Sequence, residues 1–369
     1  MVTGAMLARA ASGLGLLWLV IALPVLQRGA GFAFDLACYF DAAARLAVGG
    51  SIYLPFTIAA PFVHGGPGTY VYAPPLAVAL LPLTVLPFDS AAVVWYLARI
   101  AMLALACGLL PLTRTIRFGA FAVTALSGAF LSDQSLGNVN ALLLLGVACA
   151  WRWFDRPAAA IAMALSASLR PQLAVVVGWW ALRRRWRLVA VTALSLVVLA
   201  ALTLPFVGLQ AYLDFISLLR NIRFEGAPNN VSLDAAARLL GLPAVVGTGA
   251  FLAGAVLAVG AVVAARNRGP ELGFVVGIAA SLLVTPLLWP HYLVLVIIPA
   301  AYLAARGSVW GLALPLLTWL PPALLPLVAI TALLAPFTAP ADAPPAGAPE
   351  RRSRTGGVLE PDPGAGLRP

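Results

Sequence analysis

Uncharged apolar stretches of bilayer length recur along this chain from Met6 to Phe337, and no other feature restricts its fold as strongly. A helix of about 20 residues matches the hydrocarbon thickness of a membrane, and it satisfies its backbone hydrogen bonds internally, as lipid-facing backbone must. Only 10% of the 369 residues are charged, whereas a soluble domain carries about a quarter. The sequence therefore predicts an all-α polytopic membrane protein of about ten spans. Residues 1–337 form one multi-span unit, and the Pro-, Ala-, Gly- and Arg-rich segment 338–369 is predicted to be disordered.

Spans are expected at about 6–26, 90–111, 117–132, 138–152, 188–207, 243–265, 271–286, 290–305 and 309–337. Between the first two, Leu36 to Val48 has an apolar helical face, an Asp41/Arg45 pair at i,i+4, and Gly49-Gly50 as a stop signal; it reads as a helix on the outer membrane surface. The Pro-rich run Pro74 to Pro87 is too short to span and is expected to dip in and return.

The formal net charge of +10 comes from arginine, and lysine is absent; with abundant Ala, Gly and Pro this composition points to a GC-rich bacterial genome. The arginines cluster between apolar runs at Arg114/Arg117, Arg152/Arg156, Arg183 to Arg187, Arg266/Arg268 and Arg306. That is the pattern of cytoplasmic loops and not of a nucleic-acid-binding face. Every cluster falls inside if the run 157–182, interrupted by Arg170-Pro171, both starts and finishes there. It is then a re-entrant-like hairpin with arms about 18 Å long and Arg170 near its apex.

The same alternation sends Asp35, Asp41, Tyr70, Tyr72, the turn Ser132 to Ser135, Asn138, Asn140, the loop 208–240 and the Trp289-Pro290-His291 turn to the outer face. Asp35 reads either as the N-cap of the surface helix or as a general base. Arg170 suits bidentate binding of phosphate, or else forms a buried structural pair with an outer carboxylate. His291 either belongs to an aromatic belt with Trp289 and Tyr292 or donates to an anionic leaving group; Tyr70 and Tyr72 carry the same ambiguity. Cys38, Cys107 and Cys149 imply no disulfide framework, and His64 and His291 cannot make a zinc site by themselves, so neither metal nor cofactor is expected.

Six motifs, in order, resemble glycosyltransferase family 87: Asp35-Leu-Ala-Cys-Tyr39 with Gly49-Gly50-Ser-Ile-Tyr53, Tyr70-Val-Tyr-Ala-Pro-Pro75, Gly137-Asn-Val-Asn140, Leu169-Arg-Pro-Gln172, Asn229-Asn-Val-Ser232 and Trp289-Pro-His-Tyr292. The resemblance implies a GT-C-like fold and an enzyme at the outer face of the bacterial plasma membrane. It implies transfer of a hexose, mannose first, from a polyprenyl-phosphate sugar donor to a glycolipid or lipoglycan acceptor. It makes Asp35 the catalytic base and puts Arg170 and His291 at the donor phosphate. Tyr39, Tyr70, Tyr72, Gln134, Asn138, Asn140, Asn230, Trp289 and Tyr292 are then the substrate-binding residues. The alternatives are a transporter or flippase for lipid-linked sugars and a GT-C arabinofuranosyltransferase.

Overall fold

The computed structural model describes residues 3–29, 31–61, 69–222 and 229–340, which contain no strand. The helices are α1 (Gly4–Leu26), α2 (Phe34–Ala47), α3 (Pro55–Ala59), α4 (Pro74–Leu80), α5 (Phe88–Leu109), α6 (Arg114–Ala125), α7 (Gly128–Leu136), α8 (Asn140–Arg152), α9 (Pro157–Leu169), α10 (Ala174–Leu182), α11 (Trp186–Asn221), α12 (Leu233–Leu239), α13 (Ala244–Ala265), α14 (Pro270–Leu283), α15 (Ile297–Ala305) and α16 (Leu325–Leu334), joined in places by short 3₁₀ stretches. The expected tail lies outside the described residues beyond position 340, as do His64, Arg223 and Glu225.

Four helices, α1, α5, α11 and α13, are long and apolar enough to cross a membrane, and α6 with α7, bent by 61°, makes a fifth if the pair counts as one span. Their outward faces are continuous hydrocarbon. On α11, Leu194, Val197 and Leu202 are exposed, and on α13 Val245, Val256 and Val259. Water does not tolerate a patch of that extent on a folded protein, whereas lipid does. The chain is a multi-pass membrane protein. By length alone these helices are fewer than the ten predicted, because the other apolar runs are broken by proline and 3₁₀ turns into shorter pieces.

The bundle has two chemically distinct poles. At one, Glu271 in the first turn of α14 accepts from Trp151 at 3.0 Å and from Arg306 at 2.8 Å. Arg185 pairs with Asp155 at 3.3 Å, and the Phe154 and Trp179 rings lie 5.8 Å apart. Residues 154–155 precede α9, and Trp179 lies in α10 with Arg185 just beyond its end, so the start of α9 and the end of α10 lie side by side at this pole. Arg170, at the break between them, stands at the other pole beside Asn138 and Tyr292. α10 is seated on α14 without a gap: a Cβ on Gly273 would lie 2.3 Å from the Trp179 ring.

Four local expectations need correction. Asp35 does not cap α2; Ala33 holds the cap position with φ 57, and Asp35 is in the first turn with its carboxylate turned to Asn138. Ser132 to Ser135 belong to α7, and the turn comes at Gly137, whose φ of 75 ends the helix. The segment 208–240 is largely helical: α11 kinks at Gly208 (φ 72), after Pro205, and continues to Asn221, where Asn221 donates to the Ile58 carbonyl at 2.8 Å. The run 309–337 is not one helix. Its first half passes Gly119 and Ala129, it breaks at Pro321-Pro322, and α16 returns so that Phe337 lies under Arg268.

The Asp41–Arg45 pair forms, and Arg45 also donates to the carbonyls of Ser51 and Ile52 at 2.9 and 2.8 Å, folding the chain back after Gly49.

Candidate active site

The polar pole is built on the Gly137 turn. A Cβ there would lie 2.7 Å from the Leu36 Cβ, so only glycine lets α2 come so close. Ala33 N–H donates to the Ser135 carbonyl at 2.7 Å, and Trp95 donates to the Gly137 carbonyl at 2.8 Å. Together these contacts set the start of α2, and with it Asp35, over the start of α8.

Asn138 then joins opposite charges. Its Nδ2 donates to the Asp35 carboxylate at 2.6 Å and more weakly to the Tyr72 hydroxyl at 3.4 Å. Its Oδ1 accepts from Arg170 at 3.1 Å and from Asn140 at 3.0 Å. Arg170 also donates to the Tyr292 hydroxyl, and its guanidinium lies 3.8 Å from the Tyr292 ring centroid and 5.0 Å from that of Tyr72. Behind this layer Asn140 donates to Asp133 at 3.0 Å, and Arg99, fully buried, pairs with the Asp133 carboxylate at 3.5 Å and donates to the Gln134 carbonyl at 2.9 Å. An unbroken hydrogen-bonded chain therefore runs from Arg99 to Asp35.

Two cavities meet at this layer. One, of about 320 Å³, is lined by Asp35, Tyr39, Tyr72, Asn229 and Trp289. The other, of about 370 Å³, is lined by Tyr72, Arg170, Gln172, Thr285 and Tyr292. Val71 and Tyr72 are common to both, so a carboxylate and a guanidinium face separate spaces across one tyrosine. Burial pushes the Asp35 carboxyl above the usual carboxylate range, opposed by the Asn138 hydrogen bond and then by the charges of Arg170 and Arg99. The result is a stronger proton acceptor than a solvated aspartate.

Of the residues named from sequence, Asp35, Tyr39, Tyr72, Asn138, Arg170, Trp289 and Tyr292 come together here. The others do not reach the cavity walls, and Asn138, though it joins the residues that do, lines neither cavity itself. Tyr70 is fully buried, its hydroxyl bonded to the Ala73 carbonyl at 2.7 Å and the Ala77 N–H at 3.1 Å. Asn230 fastens the 286–288 segment, accepting from Leu288 N–H at 3.1 Å and donating to the Pro286 carbonyl at 3.1 Å. His291 is 1% exposed, packs between Trp289 and Tyr292, and lines neither cavity. Gln134 is fully buried beneath the layer. Arg99 escaped the sequence reading, although a lone arginine inside an apolar run was the signal that singled out Arg170.

No cluster of metal-ligating side chains occurs among the described residues. Neither a curated protein nor a solved structure matches the chain. The sequence profile of glycosyltransferase family 87 matches residues 70–290, a stretch that contains Tyr72, Asn138, Arg170 and Trp289 and leaves Asp35 on its N-terminal side. With more than half of its length matched, this multi-pass membrane protein belongs to glycosyltransferase family 87.

Proposed function

We propose that the protein is an inverting, GT-C-type transferase of about ten membrane passes. It moves a hexose, mannose first, from a polyprenyl-phosphate sugar to a glycolipid or lipoglycan at the outer face of the bacterial plasma membrane. The observation that carries this reading is the pair of cavities with Asp35 on one side of Tyr72 and Arg170 on the other. A sugar phosphate and a hydroxyl acceptor are the two reactants such a pair accommodates.

Asp35 takes the proton from the acceptor hydroxyl as that oxygen bonds to the anomeric carbon. The bond from that carbon to the phosphate oxygen breaks, and polyprenyl phosphate departs. The developing charge sits on the phosphate, where Arg170, aided by the Tyr292 hydroxyl, stabilises it. A phosphate leaving group needs no strong acid, so one carboxylate is enough. A third cavity, of about 340 Å³ and lined by Leu142, Leu145, Leu165, Leu199 and Pro75, adjoins the Arg170 cavity at Leu169. It supports a donor whose chain is hydrocarbon. The arginine-rich pole faces the cytoplasm in this reading, and α9–α10 is a re-entrant hairpin with Arg170 in the outer half of the membrane.

The test is transfer from radiolabelled polyprenyl-phosphate mannose to glycolipid by the purified protein in nanodiscs, compared with Asp35→Asn. General-base catalysis contributes about 10²–10⁴-fold, and the variant is expected to lose at least that factor. Transfer that survives the substitution removes Asp35 from the role. Absence of transfer by the unaltered protein, with any polyprenyl-phosphate sugar, removes the donor.

A further inference from the structure

The arginine pole holds a cavity that takes no part in the site just described. α1, α5 and α6 enclose about 500 Å³, walled by Leu16, Ala104, Phe118 and Phe121, with Arg9, Arg114 and Arg117 around it. The space follows from how α1 meets α6. Ser12 donates to the Phe118 carbonyl at 2.8 Å, and a Cβ on Gly15 would lie 3.1 Å from that of Ala125, so on this face the helices touch. Gly13 on α1 and Gly108 on α5 flank the contact, and a Cβ at either would meet nothing within 4 Å. The exposed side chains of Leu16 and Leu105 beside it belong to the lipid-facing surface.

The charges around this cavity have no carboxylate partner among the described residues. The carboxylates at this pole among the described residues are Asp155 and Glu271, engaged by Arg185 and Arg306. Arg9, Arg114 and Arg117 make no salt bridge among the described residues. Arg117 instead lies within electrostatic reach of Arg152 and Arg114. Its Nε is shielded from solvent and bonds to nothing described. Arg9 is held over the Phe118 ring at 5.8 Å. Like charges gathered at the edge of a low-dielectric cleft repel until an anion joins them.

We propose that this cavity binds an anionic glycerophospholipid, its phosphate among Arg9, Arg114 and Arg117 and one acyl chain in the cleft between α1 and α5. Guanidinium groups match phosphate oxygens in geometry as well as charge, and basic pockets between membrane helices are where anionic headgroups bind. A free phosphate ion would satisfy the arginines and leave the apolar cleft unfilled. The lipid satisfies both. The inference does not depend on which sugar or acceptor the enzyme uses.

The experiment titrates short-chain phosphatidylglycerol, phosphatidylcholine or inorganic phosphate into the detergent-purified full chain, reading binding by native mass spectrometry and Tm. Phosphatidylglycerol is expected to bind and raise Tm, and phosphatidylcholine is expected to do neither. The double variant Arg114→Gln/Arg117→Gln should weaken phosphatidylglycerol on the order of 25-fold, about fivefold per arginine. Gly108→Leu, which fills the cleft and keeps every arginine, should weaken it as well, and it serves if the double variant does not fold. Equal binding of the two lipids, or unchanged affinity in both variants, overturns the proposal. So does inorganic phosphate matching the lipid while Gly108→Leu has no effect, which marks an ion site only.

Discussion

Asn138 distributes one amide between a carboxylate and a guanidinium, and its orientation is fixed by its partners. Arg170 and the Val139 N–H only donate, so they must face Oδ1, which leaves Nδ2 for Asp35. The amide therefore favours the charged form of Asp35. Removing it in Asn138→Ala raises the carboxyl further, and because the proposed base acts deprotonated, the acid limb of kcat/KM should move to higher pH. A limb that stays in place while the rate falls would mean that Asn138 only positions its neighbours. The sequence named Asn138 among the substrate-binding residues but not as the link between Asp35 and Arg170, because Asp35 and Asn138 are 103 positions apart. It also offered no way to tell Asn230, whose amide is occupied by backbone, from Asn138, whose amide faces the site. Residue type sets what a side chain can bond; only the fold sets what it meets.

Among elements, the contact of α2 with the Gly137 turn sets where the carboxylate stands. Alanine at Gly137 would be strained by its φ of 75 and would push against the Leu36 Cβ at 2.7 Å and the Ala33 Cα at 3.3 Å. Gly137→Ala is expected to cost about 1–3 kcal/mol, seen as a lower Tm in detergent, and to reduce transfer more than the Tm loss explains. Full activity in a destabilised variant would show that α2 can shift without moving Asp35. α2 itself was legible, since its apolar face, its Asp41/Arg45 pair and its Gly49 stop are all local. The continuation of α11 past Gly208 was not, because Pro205 and Gly208 read as an end. What carries the helix on is packing against the 53–59 segment, including the Tyr53–Phe215 ring pair, which periodicity does not report.

Across the whole molecule, the clustered arginines of the 114–117, 152–156, 183–187 and 306 positions gather at one end with Asp155 and Glu271, and the cavities with Asp35 and Arg170 lie at the other. The pairing of Asp155 with Arg185 brings both ends of the 157–182 run to the arginine pole. In a cysteine-free background, Gln172→Cys is expected to react with a membrane-impermeant maleimide from outside, and Arg184→Cys only after permeabilisation. Labelling of position 184 from outside would make the run a single crossing and sink the topology proposed here. The spacing of arginine clusters made the two poles readable in the sequence. It did not disclose that 309–337 turns back at Pro321-Pro322, because a run of uniform hydropathy hides a reversal inside it.

The link from Arg170 through Asn138 to Asp35 also bears on timing. While Arg170 stands uncompensated, its charge holds down the proton affinity of Asp35. A donor phosphate arriving at Arg170 cancels that charge, so on the proposed assignment the carboxylate becomes a stronger base once the sugar to be transferred is seated. Equilibrium coupling of this kind is reciprocal: a proton on Asp35 must tighten donor binding by the factor by which the donor raises the proton's affinity. The enzyme would then favour an order of addition, donor before acceptor, without any moving part.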